Sequence, residues 1–329
     1  AIARWSSETP AREAHLEISS NHAEELRMIA RRTWRFFEVF VTPEVNLLPP
    51  DNFQEDPEQV VAHRTSPTNS GLYFLSTIAA RDFGWIGAAE LTERMETTLA
   101  TMENMERFQG HFLNWYDTSD LHPLDPRYVS SVDSGNLAGN LIVMKNACHD
   151  LLDAPVVDWH WFAGIDDALL LLRQALDESP AVDPAIATAM KALAQALQEQ
   201  VDNVGGLEVI ARKLTLLARH AQTILDAARG AGGEVAVWAR ALCDSAQSHR
   251  RDLDGFFPWL GASVSIEPAL ARILQAPDLT LRRLAAYLDA RSDLPEIVAR
   301  ARVEIQGIVA RLEEIAGTAL RLAHEMEFD

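Results

Sequence analysis

Residues 48–72 read LPPDNFQEDPEQVVAHRTSPTNSGL, and neither the helical nor the strand period fits them. The stretch opens on Pro49-Pro50 and closes on Pro67, Asn69 and Gly71, residues that punctuate a backbone. Between them stand Asp51, Asn52, Gln54, Glu55, His63, Arg64, Thr65, Ser66, Thr68 and Asn69, all rich in hydrogen-bonding groups. A flexible linker uses Gly, Ser, Pro and charge without pattern. Here Phe53, Val60 and Val61 supply apolar anchors, so the loop is expected to pack. Long ordered loops in compact domains are usually functional.

Amphipathic segments flank the loop. Upstream, Asn21 is positioned to cap a helix with Glu24 as its reciprocal partner. Leu26, Ile29, Ala30, Thr33, Phe36, Phe37 and Phe40 follow at helical spacing, with Arg27, Arg31, Arg35 and Glu38 on the other faces. Downstream, Ser70–Phe83 reads as a helix with Leu72, Phe74, Leu75, Ile78 and Ala79 turned inward. Ala88–Phe108 reads as another, striped by Leu91, Met95, Leu99, Met102 and Met105. Gly110 then opens a second irregular stretch, GHFLNWYDTSDLHPLDPRYVSSVDSGNLAGN over residues 110–140. Ser134 or Asp133 is expected to cap a helix from Asn136 to Leu152. Helices alternating with two polar, aromatic-bearing loops form the pattern of an α/α toroid, in which helix pairs make the wall and loops at one rim make the site.

Beyond Asp153 the chain turns to Ala and Leu. Candidate helices are Asp166–Leu176, Pro184–Val201, Leu207–Ala228, Glu234–Phe256, Glu267–Leu274, Leu279–Ala290 and Pro295–Glu325, parted by turns at Gly205-Gly206 and Gly230–Gly233. In the last, Leu294, Ile297, Val298, Ala301, Ile305, Ile308, Leu312, Ile315 and Ala319 mark one seam at near-heptad spacing.

Composition sets the outer bounds. A chain of 329 residues, almost half of them hydrophobic, affords a sizeable core and excludes global disorder. Net charge is −19 and no Lys/Arg-rich run exists, so phosphate-backbone binding has no cationic footing and a nucleic-acid partner is not expected. Cys148 and Cys243 lie far apart, which gives neither a disulfide framework nor a zinc spacing and fits a reducing compartment. The apolar runs are too short to span a bilayer, the first residues lack a signal-peptide core, and a soluble chain is expected. The missing initiator Met suggests a piece of something longer.

Asp51 and Glu55 share one face if a short helix follows Pro50, yet Asp51 serves equally as an N-cap and Arg64 can pair with either. Asn114, Trp115, Tyr116, Asp117 and Thr118 place aromatic rings beside an amide and a carboxylate. That inventory grips a sugar through its C–H face and its hydroxyls, or makes a buried Trp with a turn-forming Asp. Residues 128–136, YVSSVDSGN, feed a helix N-terminus where Asp133, Ser134 and Asn136 can meet a ligand hydroxyl or cap the helix. Metal, phosphate-cradle and nucleophile-elbow motifs are absent, and neither a metal nor a cofactor is expected. Polar loops rich in Asp, Asn, Trp and Tyr suit a neutral, hydroxyl-rich ligand, with carboxylate chemistry on glycosidic bonds as the matching reaction class.

Residues 30–85, ARRTWRFFEVFVTPEVNLLPPDNFQEDPEQVVAHRTSPTNSGLYFLSTIAARDFGW, and the 110–140 stretch resemble the central glycoamylase-like domain of cyclic β-1,2-glucan synthases, continuously from Asn21 to Asp153. The helices from Asp158 to Ala323 resemble the variable helical region that follows in that family. The resemblance implies an all-α, partial (α/α)6 toroid related to endo-β-1,2-glucanases, with residues 1–157 carrying its first helices and site loops and 158–329 leading toward the remainder. It implies a cytoplasmic domain of a parent anchored in the bacterial inner membrane. There a glycosyltransferase domain elongates β-1,2-glucan, the central domain cyclises it by retaining transglycosylation, and a phosphorylase-like domain trims it. The family's catalytic glutamates belong beyond Asp329. Asp51, Asn52, Gln54, Glu55, Arg64, Thr68, Asn69, Asn114, Trp115, Tyr116, Asp117, Asp133, Ser134 and Asn136 are therefore expected to bind glucan or support the residues that do, with Glu55 in support. Simple hydrolysis of β-1,2-glucan, or an inert glucan-binding or scaffolding role, are the alternatives.

Overall fold

Helix starts and stops follow local chemistry. In a computed structural model describing residues 18–179, 184–199, 206–261, 267–274, 276 and 279–328, α1 spans Ser20–Phe40, and Ser19 rather than Asn21 caps it by accepting from His22 N at 3.3 Å. Helices α2 (Pro67–Asp82), α3 (Ala88–Glu103), α4 (Ser131–Asp153), α5 (His160–Asp177), α6 (Pro184–Gln198), α7 (Gly206–Ala227), α8 (Gly233–Phe256), α9 (Pro268–Leu274), α10 (Leu281–Asp289) and α11 (Glu296–Glu325) follow. The expected ends of the sixth helix at Val201 and of the turn at Gly205 lie outside the described residues. Expected helix ends otherwise shift by a few residues, and three differ more, the fifth helix beginning at His160, six residues before the expected Asp166. The third helix stops at Glu103 because Arg107–Phe108 joins a hairpin, and α4 begins five residues early because Ser130 caps it. No helix among the described residues is long and apolar enough to cross a membrane.

The all-α expectation is borne out, and the helix directions fit an arc of an α/α toroid. The first turns of α2 and α4 touch through Thr68 and Asp133, so these two run the same way as one layer. A second layer runs oppositely. Arg311 binds Glu96 at 2.5 Å and Arg321 binds Glu103 near the other end, which sets α3 and α11 parallel. Thr98 and Thr101 on α3 donate to Leu47 O at 2.8 Å and Asn46 O at 2.9 Å, which brings the end of α1 to the same rim. Both long loops therefore leave from one rim. Gly110 sits at φ +78°, and a Cβ there would fall 1.7 Å from Glu325 O, so only glycine lets the second loop cross the end of α11.

Helical spacing found most of the core. Leu91, Met95, Leu99, Met102 and Met105 are all buried, and so are Val298, Ala301, Ile305, Ile308, Leu312, Ile315 and Ala319 of the α11 seam. The inward face of α1 is corrected. Met28, Arg31 and Trp34 point in, while Leu26 and Ile29 are 54% and 61% exposed. Arg31 is wholly buried because Glu38 takes it at 2.8 and 3.0 Å and the Trp85 and Trp238 rings flank it at 5.6 and 5.4 Å. A paired guanidinium between rings thus occupies a place that spacing assigned to solvent. On α2, Leu72 is likewise half exposed and Tyr73 takes the interior.

The Ala/Leu-rich helices pack directly on this arc, α11 against α4 and α3, and α8 against α5 and α3. At the α3 N-terminus the buried Asp252 carboxylate accepts from Ala88 N at 2.5 Å and Ala89 N at 3.1 Å, a cap supplied from α8. One turn away His249 bonds Gly84 O at 2.7 Å, stacked on Trp161. Burial pushes the His249 imidazole down to about 4 and the Asp252 carboxyl up to about 6. The two act oppositely on acidification. Below its ordinary value the unfolded His249 binds a proton that the folded one refuses until about pH 4, so stability falls as pH falls through that window. Asp252 takes a proton in the fold near pH 6, before the unfolded chain does, so its share rises as pH falls. Replacing His249 by Gln removes the first effect only. Between pH 7 and pH 5.5, still above the isoelectric point near 4.9, His249→Gln is expected to lose about 1 kcal/mol less stability than the wild type in urea unfolding. Equal losses would show that His249 does not set the acid limb.

Candidate functional site

The two loops become one surface through short strands. Phe53–Gln54 (β1) pairs antiparallel with Val60–Val61 (β2), so a hairpin follows Pro50 rather than the short helix that would have aligned Asp51 with Glu55. Phe53 anchors this hairpin on Phe40, ring centroids 4.9 Å apart. Arg64–Thr65 (β3) then pairs with Tyr116–Asp117 (β6) of the second loop, Arg64 opposite Asp117 and Thr65 opposite Tyr116. Between them Arg107–Phe108 (β4) and His111–Phe112 (β5) close a hairpin against the end of α11. Segments some fifty residues apart in sequence are thus held edge to edge.

Helix capping places the polar side chains. Ser66 caps α2 by accepting from Asn69 N at 3.2 Å, with Pro67 at the first helical position, so Thr68 and Asn69 stand on its first turn. Ser130, not Ser134 or Asp133, caps α4 by accepting from Asp133 N at 3.2 Å. Asp133 is thereby free to reach across. It accepts from the Thr68 hydroxyl at 2.6 Å, and Asn136 Nδ2 donates to the same hydroxyl oxygen at 3.2 Å. With the Asn114 amide turned to satisfy its neighbours, Nδ2 donates to the other Asp133 oxygen at 3.1 Å. Its oxygen accepts from Trp115 Nε1 at 2.6 Å and from the Tyr128 hydroxyl at 2.8 Å.

A second cluster lies on the first-loop side. Arg64 donates to Asp51 Oδ2 through Nε at 3.2 Å and Nη2 at 2.9 Å, and Asn52 Nδ2 donates there at 3.1 Å. Asn69 Nδ2 reaches Asp51 Oδ1 at 3.4 Å, linking the cluster to the α2 first turn. The Arg64 guanidinium also lies over the Trp115 ring, 4.6 Å from its centroid. One chain of contacts therefore runs from Asp51 through Arg64 and Trp115 to Asn114, Asp133 and Thr68.

Other expected residues are placed elsewhere. Glu55 is exposed beyond β1, and Gln54 turns back to Glu58 O at 3.2 Å. Tyr116 is fully buried, its hydroxyl donating to Glu106 O and accepting from Leu113 N, both at 2.6 Å, and burial raises it to about 12. It braces the loop from inside, where no ligand reaches it. Asp117 accepts from Ser119 N at 2.8 Å and from the Ser119 hydroxyl, and these bonds hold its carboxyl below the usual range. Ser134 is buried, its Oγ without a hydrogen-bond partner among the described residues. Sequence reasoning missed Tyr128, 47% exposed and bonded to Asn114, although an aromatic with a polar tip in a polar loop is a usable signal.

The arrangement suits recognition more than bond-breaking. Asp51 and Asp133 have their oxygens committed to Arg64, Asn52, Asn69, Thr68 and Asn114, so each is a fixed acceptor held by its neighbours. The partly buried Trp115 lies beside them with the Arg64 guanidinium over its ring. Fixed acceptors, amide donors and one indole on a rigid rim match a hydroxyl-rich ligand.

A family model described as a protein of unknown function (DUF3131) matches residues 28–167, which contain both loops. The chain is 44% identical over 270 residues to cyclic beta-(1,2)-glucan synthase NdvB of Rhizobium meliloti (strain 1021). That match takes in 77% of this chain and 9% of the synthase, so the chain spans about a tenth of its relative's length. The resemblance to cyclic β-1,2-glucan synthases is borne out at that level. A crystal structure described as a glucoamylase candidate from Bacteroides fragilis aligns with 41% of this chain and 32% of its own, at 18% identity and a TM-score of 0.34, too low to establish a shared fold.

Proposed function

We propose that this chain, kin to a segment of a cyclic β-(1,2)-glucan synthase, forms the glucan-holding wall of a carbohydrate-active domain that closes linear β-1,2-glucan into rings. In the intact domain a carboxylate nucleophile would break an internal glycosidic bond, forming a glycosyl-enzyme and releasing the protonated reducing-end fragment, and the 2-hydroxyl at the far end of the retained glucan would then displace the carboxylate in place of water, giving up its proton to the general base. The observation that carries the reading is the joined rim, in which the Asp51–Arg64–Trp115 and Asp133–Thr68–Asn114 clusters are locked together across two loops. The committed state of both carboxylates supports substrate positioning by this chain and fits a bond-breaking pair supplied from elsewhere in the parent protein. A membrane-anchored parent with glycosyltransferase and phosphorylase-like neighbours belongs to the same proposal.

The test is incubation with linear β-1,2-glucan, followed by equilibrium binding and product mass. Saturable binding with unchanged products is expected. Rings, each one water lighter than the linear chain with the same number of units, or shortened chains would overturn the assignment of these carboxylates to positioning, and absence of binding would overturn the glucan reading itself.

A further inference from the structure

Among the described residues, the two loops leave one Phe, Trp or Tyr ring exposed at the rim. Phe53 packs on Phe40, and Phe112 and Tyr116 are buried. Trp115 is partly buried with the Arg64 guanidinium 4.6 Å from its ring centroid, and its indole N–H is spent on the Asn114 oxygen at 2.6 Å. That ring belongs to the frame of the rim. Tyr128 differs. It is 47% exposed, and its ring has no aromatic or cationic partner among the described residues.

The Tyr128 ring is exposed and yet fixed. Its hydroxyl donates to the Asn114 side-chain oxygen at 2.8 Å, and its main-chain oxygen accepts from Asn114 N at 2.9 Å. Both ends of Tyr128 are thus tied to one residue, so little freedom is lost when a ligand settles on the ring. With the hydroxyl proton spent, the group it turns to solvent is chiefly its π-face.

Hydrogen-bonding capacity lies directly beside that face. Asn114 Nδ2 donates to Asp133 at 3.1 Å, which sets the ring and the carboxylate one amide group apart. A carboxylate has about four acceptor sites, and Thr68 and Asn114 take one on each Asp133 oxygen, so acceptor capacity is left for a ligand hydroxyl. Asn136 is exposed and uses one amide hydrogen on Thr68, which leaves the other as a donor. Nothing in the chain crowds this spot, since a Cβ on Gly135 would meet no atom within 4 Å. A glucose ring carries C–H bonds on its faces and hydroxyls around its edge. Its face matches a fixed, exposed aromatic ring, and its edge matches the acceptor and donor alongside.

We infer that Tyr128 is the stacking platform of the rim, on which the C–H face of one glucose unit rests while its edge hydroxyls reach Asp133 and Asn136. The identity of the sugar rests on the function proposed above, and Tyr128 adds the surface that orients it.

The test follows the C–H protons of a short linear β-1,2-glucan oligosaccharide by NMR as the full chain is added. Protons held over an aromatic face are shielded, so these signals should move upfield on binding to the wild type. Tyr128→Leu keeps an apolar side chain and removes the ring. With its thermal transition checked alongside, it is expected to abolish the upfield movement and to weaken binding about tenfold. Tyr128→Phe should keep the upfield movement with a smaller loss of affinity, because only the hydroxyl anchor is gone. Nuclear Overhauser contacts between the Tyr128 ring and sugar C–H protons are expected in the wild type, and they test stacking without any variant. Wild-type binding without those contacts, or an upfield movement that survives in Tyr128→Leu, overturns this inference and leaves the proposed function standing. Loss of the movement in Tyr128→Phe as well as Tyr128→Leu would assign the effect to the hydroxyl and overturn it too. Absence of binding in the wild type overturns the proposed function and this inference with it.

Discussion

Asp167→Ala is expected to destabilise the fold by about 3–4 kcal/mol, the largest single-residue effect in this account. Asp167 is 4% exposed and accepts from Arg27 Nε at 3.0 Å, Arg27 Nη2 at 2.6 Å and Trp85 Nε1 at 2.8 Å. It ties α5 to α1 and to the turn between α2 and α3, where Gly84 sits at φ +81° against the His160 backbone. Removing it leaves a buried indole N–H without an acceptor and a guanidinium without its counter-charge. Arg27 keeps a bond to Phe83 O at 2.9 Å and a side chain a quarter exposed, which places the cost at the lower part of the range for broken buried pairs. Asp167→Asn, which keeps an acceptor for Trp85, should lose about half as much. Urea midpoints at unchanged slope would measure both. A loss under 1 kcal/mol for the alanine variant would show that this corner does not bind α5 to the arc.

Arg64→Ala is expected to weaken β-1,2-glucan binding at the rim at least tenfold, about 1.4 kcal/mol, and to cost less than about 1 kcal/mol of stability. The two effects separate because Arg64 is a surface residue whose proposed task is positioning. Its side chain is 49% exposed, so its ion pair with Asp51 adds little to folding. It nevertheless fixes Asp51 and lies on Trp115, and without it both the acceptor and the indole lose their set positions. A calorimetric titration beside a thermal melt reads both quantities. Full affinity in Arg64→Ala would remove this residue from the site.

How much of this was legible beforehand depended on whether a property was local. Stripes on α3 and α11 were readable because each helix has one face covered for most of its length. The α1 face was not readable, since spacing reports apolar positions but cannot see that two Trp rings and Glu38 wait to receive Arg31. The loops declared themselves through Pro, Asn, Asp and Gly, and the polar residues that meet there were identified as a set. Their pairing was hidden, because β3 with β6 and Thr68 with Asp133 are contacts between distant segments. Tyr116 was misplaced for a related reason. A Tyr in a polar loop looks like a ligand contact until its hydroxyl is found closing backbone bonds inside the loop.

The most direct measurement is amide hydrogen exchange on the full chain with and without linear β-1,2-glucan. The account predicts glucan-dependent protection in residues 48–72 and 110–136 together, reduced in both segments by Arg64→Ala. Glucan binding without protection in either segment would contradict it.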